Sequence, residues 1–177
     1  VWVRAPAVML ELEDANLHWW LSRRLASLGC DVGSGAGRGD CIVTSVRASE
    51  PRLALQPGET AWCERADDGT IRVELPSRWD GAIAAYSALL LPVAARLLGA
   101  HMHAIALPLT RKIVSSVGLT EVALLRTTGG VLEPLATGDI TLATLAQADA
   151  FSLIEAGSEG YAAGESVAAF RFEAPLG

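Results

Sequence analysis

Two short segments have side chains suited to binding a phosphate group. Ser77 and Arg78 precede a long apolar segment with helical periodicity, and a helix start offers backbone N–H groups to an anion. An arginine at that place can hold two phosphate oxygens at once. Thr44 and Ser45 end a continuous apolar run typical of a parallel strand, and open α/β sheets bind ligands at such carboxyl ends. We predict ligand contacts at these four residues, with a solvated surface arginine as the alternative at Arg78.

One cationic pair, Arg111 and Lys112, stands in the second half of the sequence. We predict that it reaches a shared ligand cleft, with a solvated surface pair as the alternative. Elsewhere positive charge is sparse, and the formal net charge of the 177 residues is -6. A nucleic-acid partner needs a basic face against its phosphates, so this composition argues against one.

Other common kinds of site lack their sequence patterns. Residues 33–39 are glycine-rich but have neither the Gly-x-x-Gly step nor the Lys-Ser/Thr ending of nucleotide loops, so we predict a turn there. His101 and His103 have no nearby partner cluster, and we predict a linker and no metal site. No Gly-x-Ser-x-Gly segment is present and no cysteine adjoins a histidine, which leaves nucleophilic catalysis without support.

The three cysteines, Cys30, Cys41 and Cys63, are odd in number and form no Cys-x-x-Cys pair. Neither a disulfide scaffold nor a zinc site is expected from them, so the expected compartment is a reducing cytoplasm. The first six residues also lack the apolar core of a secretory signal.

The first half of the sequence indicates an α/β layer that would position these residues. Residues 7–12 and 41–45 are predicted strands. Between them, Asp14 is placed to cap a helix whose leucines recur at helical spacing and which ends at Gly29. A strand, a helix and a second strand in this order predict a parallel sheet with a covering helix.

A second long helix is predicted after Asp80, which we expect to cap it. Its apolar stretch, residues 81–98, contains Tyr86, Pro92, Arg96 and many alanines. This composition predicts a buried core helix rather than a membrane span. Pro92 is expected to kink the helix because proline lacks the backbone N–H.

Beyond Gly99 the sequence predicts mainly strands. A Gly-Gly turn separates the first two, and a short helix, capped by Asp139, precedes the last two. We therefore place a domain boundary near residue 104. Residues 1–104 are predicted to form the α/β domain, and residues 105–177 a small, mainly β domain.

Three C-terminal segments have patterns of a known family. Residues 138–150 contain polar residues followed by Leu-x-x-Leu-Ala-x-Ala-Asp, and residues 160–167 have the pattern Gly-Tyr-x-Ala-Gly-Glu-x-Val. Residues 111–118, followed shortly by Thr-Glu-Val, form the third segment. In this order the segments resemble the C-terminal part of MoeA-type molybdopterin molybdenumtransferases, the family that includes the E domain of gephyrin.

Upstream segments resemble the same family in the same order. Residues 40–45 (Asp-Cys-Ile-Val-Thr-Ser) are similar to its Asp-Leu-Val-Ile-Thr-Ser strand end. Residues 56–59 stand where the family has Lys-Pro-Gly-Lys-Pro, and residues 75–79 where it has Leu-Pro-Gly-Asn-Pro before a long helix. The resemblance adds Pro57 and Gly58 to the predicted ligand contacts.

The resemblance implies a shortened molybdopterin-binding α/β layer followed by a small β-barrel-like domain. Family members insert molybdate into adenylylated molybdopterin and use a divalent metal such as magnesium. The implied ligand is therefore molybdopterin or its adenylylated form, in a cytoplasmic protein with no nucleic-acid or membrane partner. A second copy of the chain, a molybdoenzyme or another protein of the cofactor pathway would be the protein partner.

Several family motifs are altered or missing in this sequence. The family's Thr-Gly-Asp-Glu-Leu has no counterpart after the first strand, and residues 46–51 replace its Gly-Gly-Val-Ser loop. Glu59 replaces a lysine, which exchanges a phosphate-pairing cation for an anion. The first hypothesis is a protein that binds molybdopterin or its adenylylated form and contributes to molybdate insertion or cofactor transfer. The departures leave open whether the chain is an enzyme, and we favour binding over catalysis.

A second hypothesis is an interaction or scaffold module that retains the MoeA fold without its activity. In that case exposed tryptophans at Trp19, Trp62 or Trp79 would mark the surface that contacts a protein. The two hypotheses differ in whether a pterin binds.

Overall fold

The computed structural model describes residues 4–35, 37–46 and 49–172; residues 1–3 of the signal prediction and 47–48 of the altered loop lie outside these ranges. The strands are β1 Ala7–Glu11, β2 Asp31–Ser34, β3 Cys41–Ser45, β4 Leu55–Gln56, β5 Trp62–Arg65, β6 Ile71–Leu75, β7 Ala104–Pro108, β8 Ile113–Val114, β9 Thr120–Thr128, β10 Val131–Thr137, β11 Ala150–Ile154, β12 Gly160–Tyr161 and β13 Ser166–Arg171. The helices are α1 Ala15–Ser27, α2 Trp79–Ala85, a π-helical segment Tyr86–Leu90, α3 Leu91–Leu97 and α4 Leu142–Gln147.

The first sheet has five strands in the order β2-β1-β3-β6-β5. Four of them run parallel, and β5 is antiparallel to β6. The chain passes from β1 to β2 on one side and then to β3 on the other side of β1. Cys41 and Val43 of β3 are fully buried between β1 and β6, which confirms the predicted parallel strand.

Helix α1 has the predicted ends. The Asp14 carboxylate accepts hydrogen bonds from the backbone N–H groups of Asn16 and Leu17, both at 2.8 Å, and so satisfies two donors that the first turn leaves unpaired. Its apolar side is buried against the sheet, and Gly29 follows with φ +100°, a conformation that favours glycine.

The second helix begins earlier than predicted. Asp80 does not cap it, because α2 starts at Trp79 and Arg78 occupies the cap position without a side-chain bond. The Asp80 carboxylate, which lies inside the first turn, accepts hydrogen bonds from Arg78 and from the Gly81 N–H. The expected disturbance at Pro92 takes the form of the π-helical segment just before it, where Leu91 N–H bonds to the Tyr86 carbonyl. Widening this turn accommodates a proline that cannot donate and that crowds the preceding turn.

The helical stretch Trp79–Leu97 is, among the described residues, the one whose length and hydropathy would allow it to cross a membrane. Its most apolar window is 61% buried inside the protein. Gly81 to Tyr86 are all buried, in part against β6, which favours the predicted core helix.

The second sheet is antiparallel, in the order β10-β9-β11-β13-β7, and β4 from the first half adds to β9 in parallel. Its two edges meet where Leu109, just after β7, bridges Leu132 of β10. This contact nearly closes the sheet around a second apolar core, so the predicted barrel-like arrangement is present. Helix α4 is capped by Thr141, not by the predicted Asp139, because Thr141 and Thr144 bond reciprocally to each other's backbone N–H.

One apolar core joins the two sheets. Leu55, Ile83, Leu124 and Phe151 belong to it, and thus it contains residues from both sides of position 104. The mixed α/β fold class is confirmed, whereas the division into two domains at residue 104 stays a prediction.

Candidate functional site

The carboxyl edge of the first sheet brings most of the predicted ligand residues together. Strands β1, β3 and β6 end at this edge, and the chain reverses its strand order between β1 and β3. A crevice forms at such a reversal because the connections on its two sides leave in opposite directions, and open α/β sheets bind ligands there. Two neighbouring pockets lie along this edge.

The first, here called the strand-end pocket, has a volume of about 900 Å³. Thr44 and Ser45 line it, as the sequence predicted for the end of β3. The other lining residues are Leu10, Glu11, Leu12, Glu13, His18, Ser34, Gly35, Arg52 and Glu74. The pocket therefore joins the ends of β1 and β3 at the reversal of strand order.

Arg52 is a residue of the strand-end pocket that sequence reasoning missed. Its guanidinium forms an ion pair with Glu74 and stacks over the Trp62 ring, 4.9 Å from the ring centroid. Two contacts hold this cation at the mouth of a pocket whose other charged residues are carboxylates. A lone arginine after a proline gives no sequence signal, because its partners come from β5 and β6.

The second, here called the turn pocket, has a volume of about 370 Å³. It brings together four predicted ligand residues from two separate segments, Pro57 and Gly58 with Ser77 and Arg78. The remaining lining residues are Val46, Gln56, Glu59, Thr60, Pro76, Asp80, Gly81, Gly138 and Asp139. Gly138 and Asp139 come from the second half of the chain and were not predicted as site residues.

Gly58 is required by the shape of the turn pocket. The Gln56–Pro57 peptide bond is cis, and Gly58 follows it with φ +120°. A Cβ at this position would lie 3.0 Å from Leu55 Cδ2 and 3.3 Å from the Gly81 carbonyl oxygen. The turn therefore packs closely on the first turn of α2, and a larger residue would separate them.

The N–H and guanidinium groups of the turn pocket that could bind an anion already donate to carboxylates of the chain itself. Gly58 N–H donates to Glu59 Oε2 at 3.0 Å, and Gly81 N–H donates to Asp80 Oδ1 at 2.8 Å. Arg78 donates to both Asp80 oxygens, at 3.2 and 2.5 Å. The hydrogen bond to Asp80 raises the pKa of Arg78 further above its usual value, with smaller contributions from Glu59 and Asp139.

The lining of the turn pocket carries more negative than positive charge. Three carboxylates, of Glu59, Asp80 and Asp139, line the turn pocket beside the single guanidinium of Arg78. A phosphate would therefore have to displace an internal carboxylate from its N–H donor and overcome like-charge repulsion.

Arg111 and Lys112 do not join the other predicted residues. Both are exposed, and neither lines the strand-end pocket or the turn pocket. Arg111 donates a hydrogen bond to the Pro134 carbonyl of β10, which holds its side chain to the barrel-like half.

The glycine-rich residues 33–39 pack on a side chain rather than surround an anion. Residue 36 lies outside the described ranges. A Cβ at Gly33 would lie 2.7 Å from Met9 Sδ, and a Cβ at Gly37 would lie 2.6 Å from Met9 Cε. A Cβ at Gly39 would lie 2.9 Å from Met9 Cγ. The glycines thus let the segment cover Met9 on the face of the sheet opposite α1.

No group of three His, Cys, Asp or Glu side chains within residues 4–35, 37–46 and 49–172 is arranged to hold a metal ion. Glu11 and Glu13 both line the strand-end pocket, but no third ligand joins them. The described residues therefore do not provide a magnesium site by themselves.

Comparison with known proteins identifies the fold. The sequence matches no protein-family model and no curated protein. The structure is similar to that of the MoeA molybdopterin biosynthesis protein from Pyrococcus horikoshii OT3, with a TM-score of 0.76 and 14% identity over 94% of this chain and 53% of that one. The fold is MoeA-like.

Two further solved structures agree. A molybdenum cofactor biosynthesis protein from Pyrococcus furiosus gives a TM-score of 0.76 and 16% identity, covering 96% of this chain and 69% of its own. Another Pyrococcus MoeA structure gives 0.75 and 18%, covering 97% and 55%. The chain thus spans about half the length of the two MoeA structures, and at these identities the likeness shows the fold.

Proposed function

We propose that this chain binds molybdopterin, or its adenylylated form, within molybdenum cofactor biosynthesis. The observation that supports this most directly is the convergence of residues from three distant segments at one sheet edge. Thr44 and Ser45, Pro57 and Gly58, and Ser77 and Arg78 line two neighbouring pockets in a MoeA-like fold. An elongated ligand with a pterin at one end and a phosphate at the other would need two such adjoining pockets.

The proposed role is binding and transfer of the cofactor rather than catalysis of molybdate insertion. Glu59 stands where the resemblance places a lysine, and its carboxylate already bonds the Gly58 N–H. An anionic intermediate in this place would be repelled instead of stabilised. The proposal includes a cytoplasmic location and a pathway protein or a second copy of the chain as partner.

Calorimetric titration with molybdopterin and with adenylylated molybdopterin, each with and without magnesium and molybdate, tests this proposal. We expect saturable binding that Thr44→Ala and Arg78→Ala both weaken. Arg65→Ala is the matched control, because Arg65 is an exposed arginine at the opposite, amino edge of the sheet. Wild-type binding that neither Thr44→Ala nor Arg78→Ala changes would remove these pockets as the site.

The predicted contribution of Arg111 and Lys112 is tested in the same titration. If the pair reaches the bound ligand, Arg111→Ala and Lys112→Ala weaken binding more than the Arg65 control does. Equal affinities for all three variants would leave both residues as solvated surface cations.

The exposure of two large apolar side chains outside both pockets supports the alternative, an interaction module. Trp19 of α1 is 62% exposed and Leu142 of α4 is 60% exposed, so both are available for contact with a protein partner. Trp62 and Trp79 are partly buried. Binding of a protein partner that Trp19→Ala abolishes, with no pterin binding, would select this alternative, and a strict monomer without partners would exclude it.

A further inference from the structure

Glu121 is a nearly buried carboxylate behind the Gly138 wall of the turn pocket. It belongs to β9, and 8% of its surface is exposed. Ser115 Oγ donates a hydrogen bond to Glu121 Oε2 at 2.6 Å, and Ser116 N–H donates to the same oxygen at 3.0 Å. Burying a carboxylate costs folding free energy unless hydrogen-bond donors compensate for the lost water. The two donors from Ser115 and Ser116 therefore need a side chain at position 121 that accepts hydrogen bonds.

The second carboxylate oxygen of Glu121 lies against the Gly138 turn. A Cβ at Gly138 would be 2.6 Å from Glu121 Oε1, and Gly138 has φ +70°. The positive φ favours glycine at this position, and a side chain there would have to displace the Glu121 carboxylate. Gly138 and the next residue, Asp139, line the turn pocket, so the Glu121 carboxylate packs directly behind this wall of the pocket. The Gly138 N–H also donates to the Val122 carbonyl of β9 at 3.4 Å.

The backbone of Glu121 holds the other wall of the same pocket. Glu121 pairs with Gln56 across the parallel β4–β9 contact, and Thr120 N–H donates to the Ala54 carbonyl at 2.7 Å. Gln56 leads directly into Pro57 and Gly58. One residue thus contacts both the wall formed by residues 56–59 and the wall formed by residues 138–139.

We propose that Glu121 is a positioning residue that sets the distance between these two walls of the turn pocket. It does not line the pocket and would act on a ligand only through Gly58 and Asp139. The proposal rests on the proposed function for its effect on pterin affinity, whereas its effect on the pocket walls is independent of any ligand.

The test compares Glu121→Ala and Glu121→Gln in the full chain. Glutamine keeps a carbonyl oxygen that can accept from Ser115 and Ser116, so it is expected to preserve the pocket, and alanine is not. Asp149→Ala is the matched control, because its carboxylate also accepts from a backbone N–H of β9, that of Thr127 at 2.8 Å, away from the turn pocket.

Amide resonances of the ligand-free protein give the first measurement. Glu121→Ala is expected to shift the N–H resonances of Gly58 and Asp139, Glu121→Gln to restore them, and the control to leave them unchanged. Titration with molybdopterin gives the second: roughly tenfold weaker binding for Glu121→Ala, typical of residues in one hydrogen-bond network, and near wild-type binding for Glu121→Gln.

The outcomes separate the two proposals. Unshifted Gly58 and Asp139 resonances in a folded Glu121→Ala protein would overturn the positioning role, and so would a Glu121→Gln variant as perturbed as Glu121→Ala. If wild-type protein binds no pterin but the resonances shift as expected, the proposed function fails and the positioning role stands. If Glu121→Ala does not fold, the Glu121→Gln comparison decides the matter, because positioning requires its resonances to match the wild type.

Discussion

The electrostatics of the turn pocket predict that changing Glu59 increases its affinity for anions. Glu59 Oε2 lies 3.0 Å from the Gly58 N–H, and so its carboxylate stands where a phosphate oxygen would bind. Glu59→Gln removes this competing charge, and Glu59→Lys replaces it with a cation, the residue type that the MoeA resemblance places here. Both changes are on an exposed side chain, so the fold should tolerate them.

The size of the effect follows from Coulomb's law. Two unit charges about 6 Å apart in water interact with about 0.7 kcal/mol, so a doubly charged phosphate gains about 1.4 kcal/mol when Glu59 is neutralised. Reversal of the charge gives about twice that energy. We therefore expect affinity to rise roughly tenfold for Glu59→Gln and roughly a hundredfold for Glu59→Lys at low ionic strength, with smaller gains as salt screens the pocket.

Calorimetry with inorganic pyrophosphate and with molybdopterin measures these affinities. Asp67→Lys is the control, since it makes the same charge change in the exposed hairpin at the opposite edge of the first sheet. The reasoning would be refuted if Glu59→Lys bound pyrophosphate no better than Asp67→Lys, because the gain would then come from net charge and not from the pocket.

Three further predictions concern thiol reactivity and stability. Burial raises the pKa of Cys41 to about 12 and of Cys30 to about 11, so both thiols should react with a disulfide reagent at pH 8 orders of magnitude more slowly than in unfolded protein. Tyr86→Phe should raise the unfolding free energy by about 1 kcal/mol, because the buried hydroxyl has no partner among described residues. Gly160→Ala should lower the melting temperature by several degrees, since its Cβ would lie 2.1 Å from the Ile113 carbonyl oxygen.

The same cysteines make stability depend on alkaline pH. A thiol whose folded pKa is raised keeps its proton after the unfolded thiol, with an ordinary value of 9.0, has lost it. The contribution of Cys41 is therefore complete below pH 9 and decreases as pH rises toward 12. This direction follows from burial, which is the largest cause of the shift.

The regular elements of the first half were predictable because local patterns determine them. The cap at Asp14, the stop at Gly29 and the parallel strand ending in Thr44 and Ser45 were all correct. The caps predicted at Asp80 and Asp139 were wrong, since an aspartate near a helix start has other partners available. Asp80 pairs with Arg78, and the Thr141–Thr144 pair takes the place of Asp139.

The candidate site was only partly predictable, because long-range pairing assembles it. Ser77 and Arg78 could be singled out from their place before a helix, and Pro57 and Gly58 from the resemblance. The structure places all four in one pocket. Nothing local to Arg52 indicates its partner Glu74, which the parallel β3–β6 pair positions. Glu121 is similar, since a single glutamate at the start of a strand gives no sign of the turn that it contacts.

The pairing of β4 with β9 also constrains the order in which this protein can fold. Leu55 is made early during synthesis, but its strand partner Thr120 leaves the ribosome much later. Until then β4 and the apolar residues around it, including Leu55 and Ala61, have no sheet to cover them. The core that the two halves share therefore cannot close before the residues of β9 have been made, however early the strands of the first sheet form.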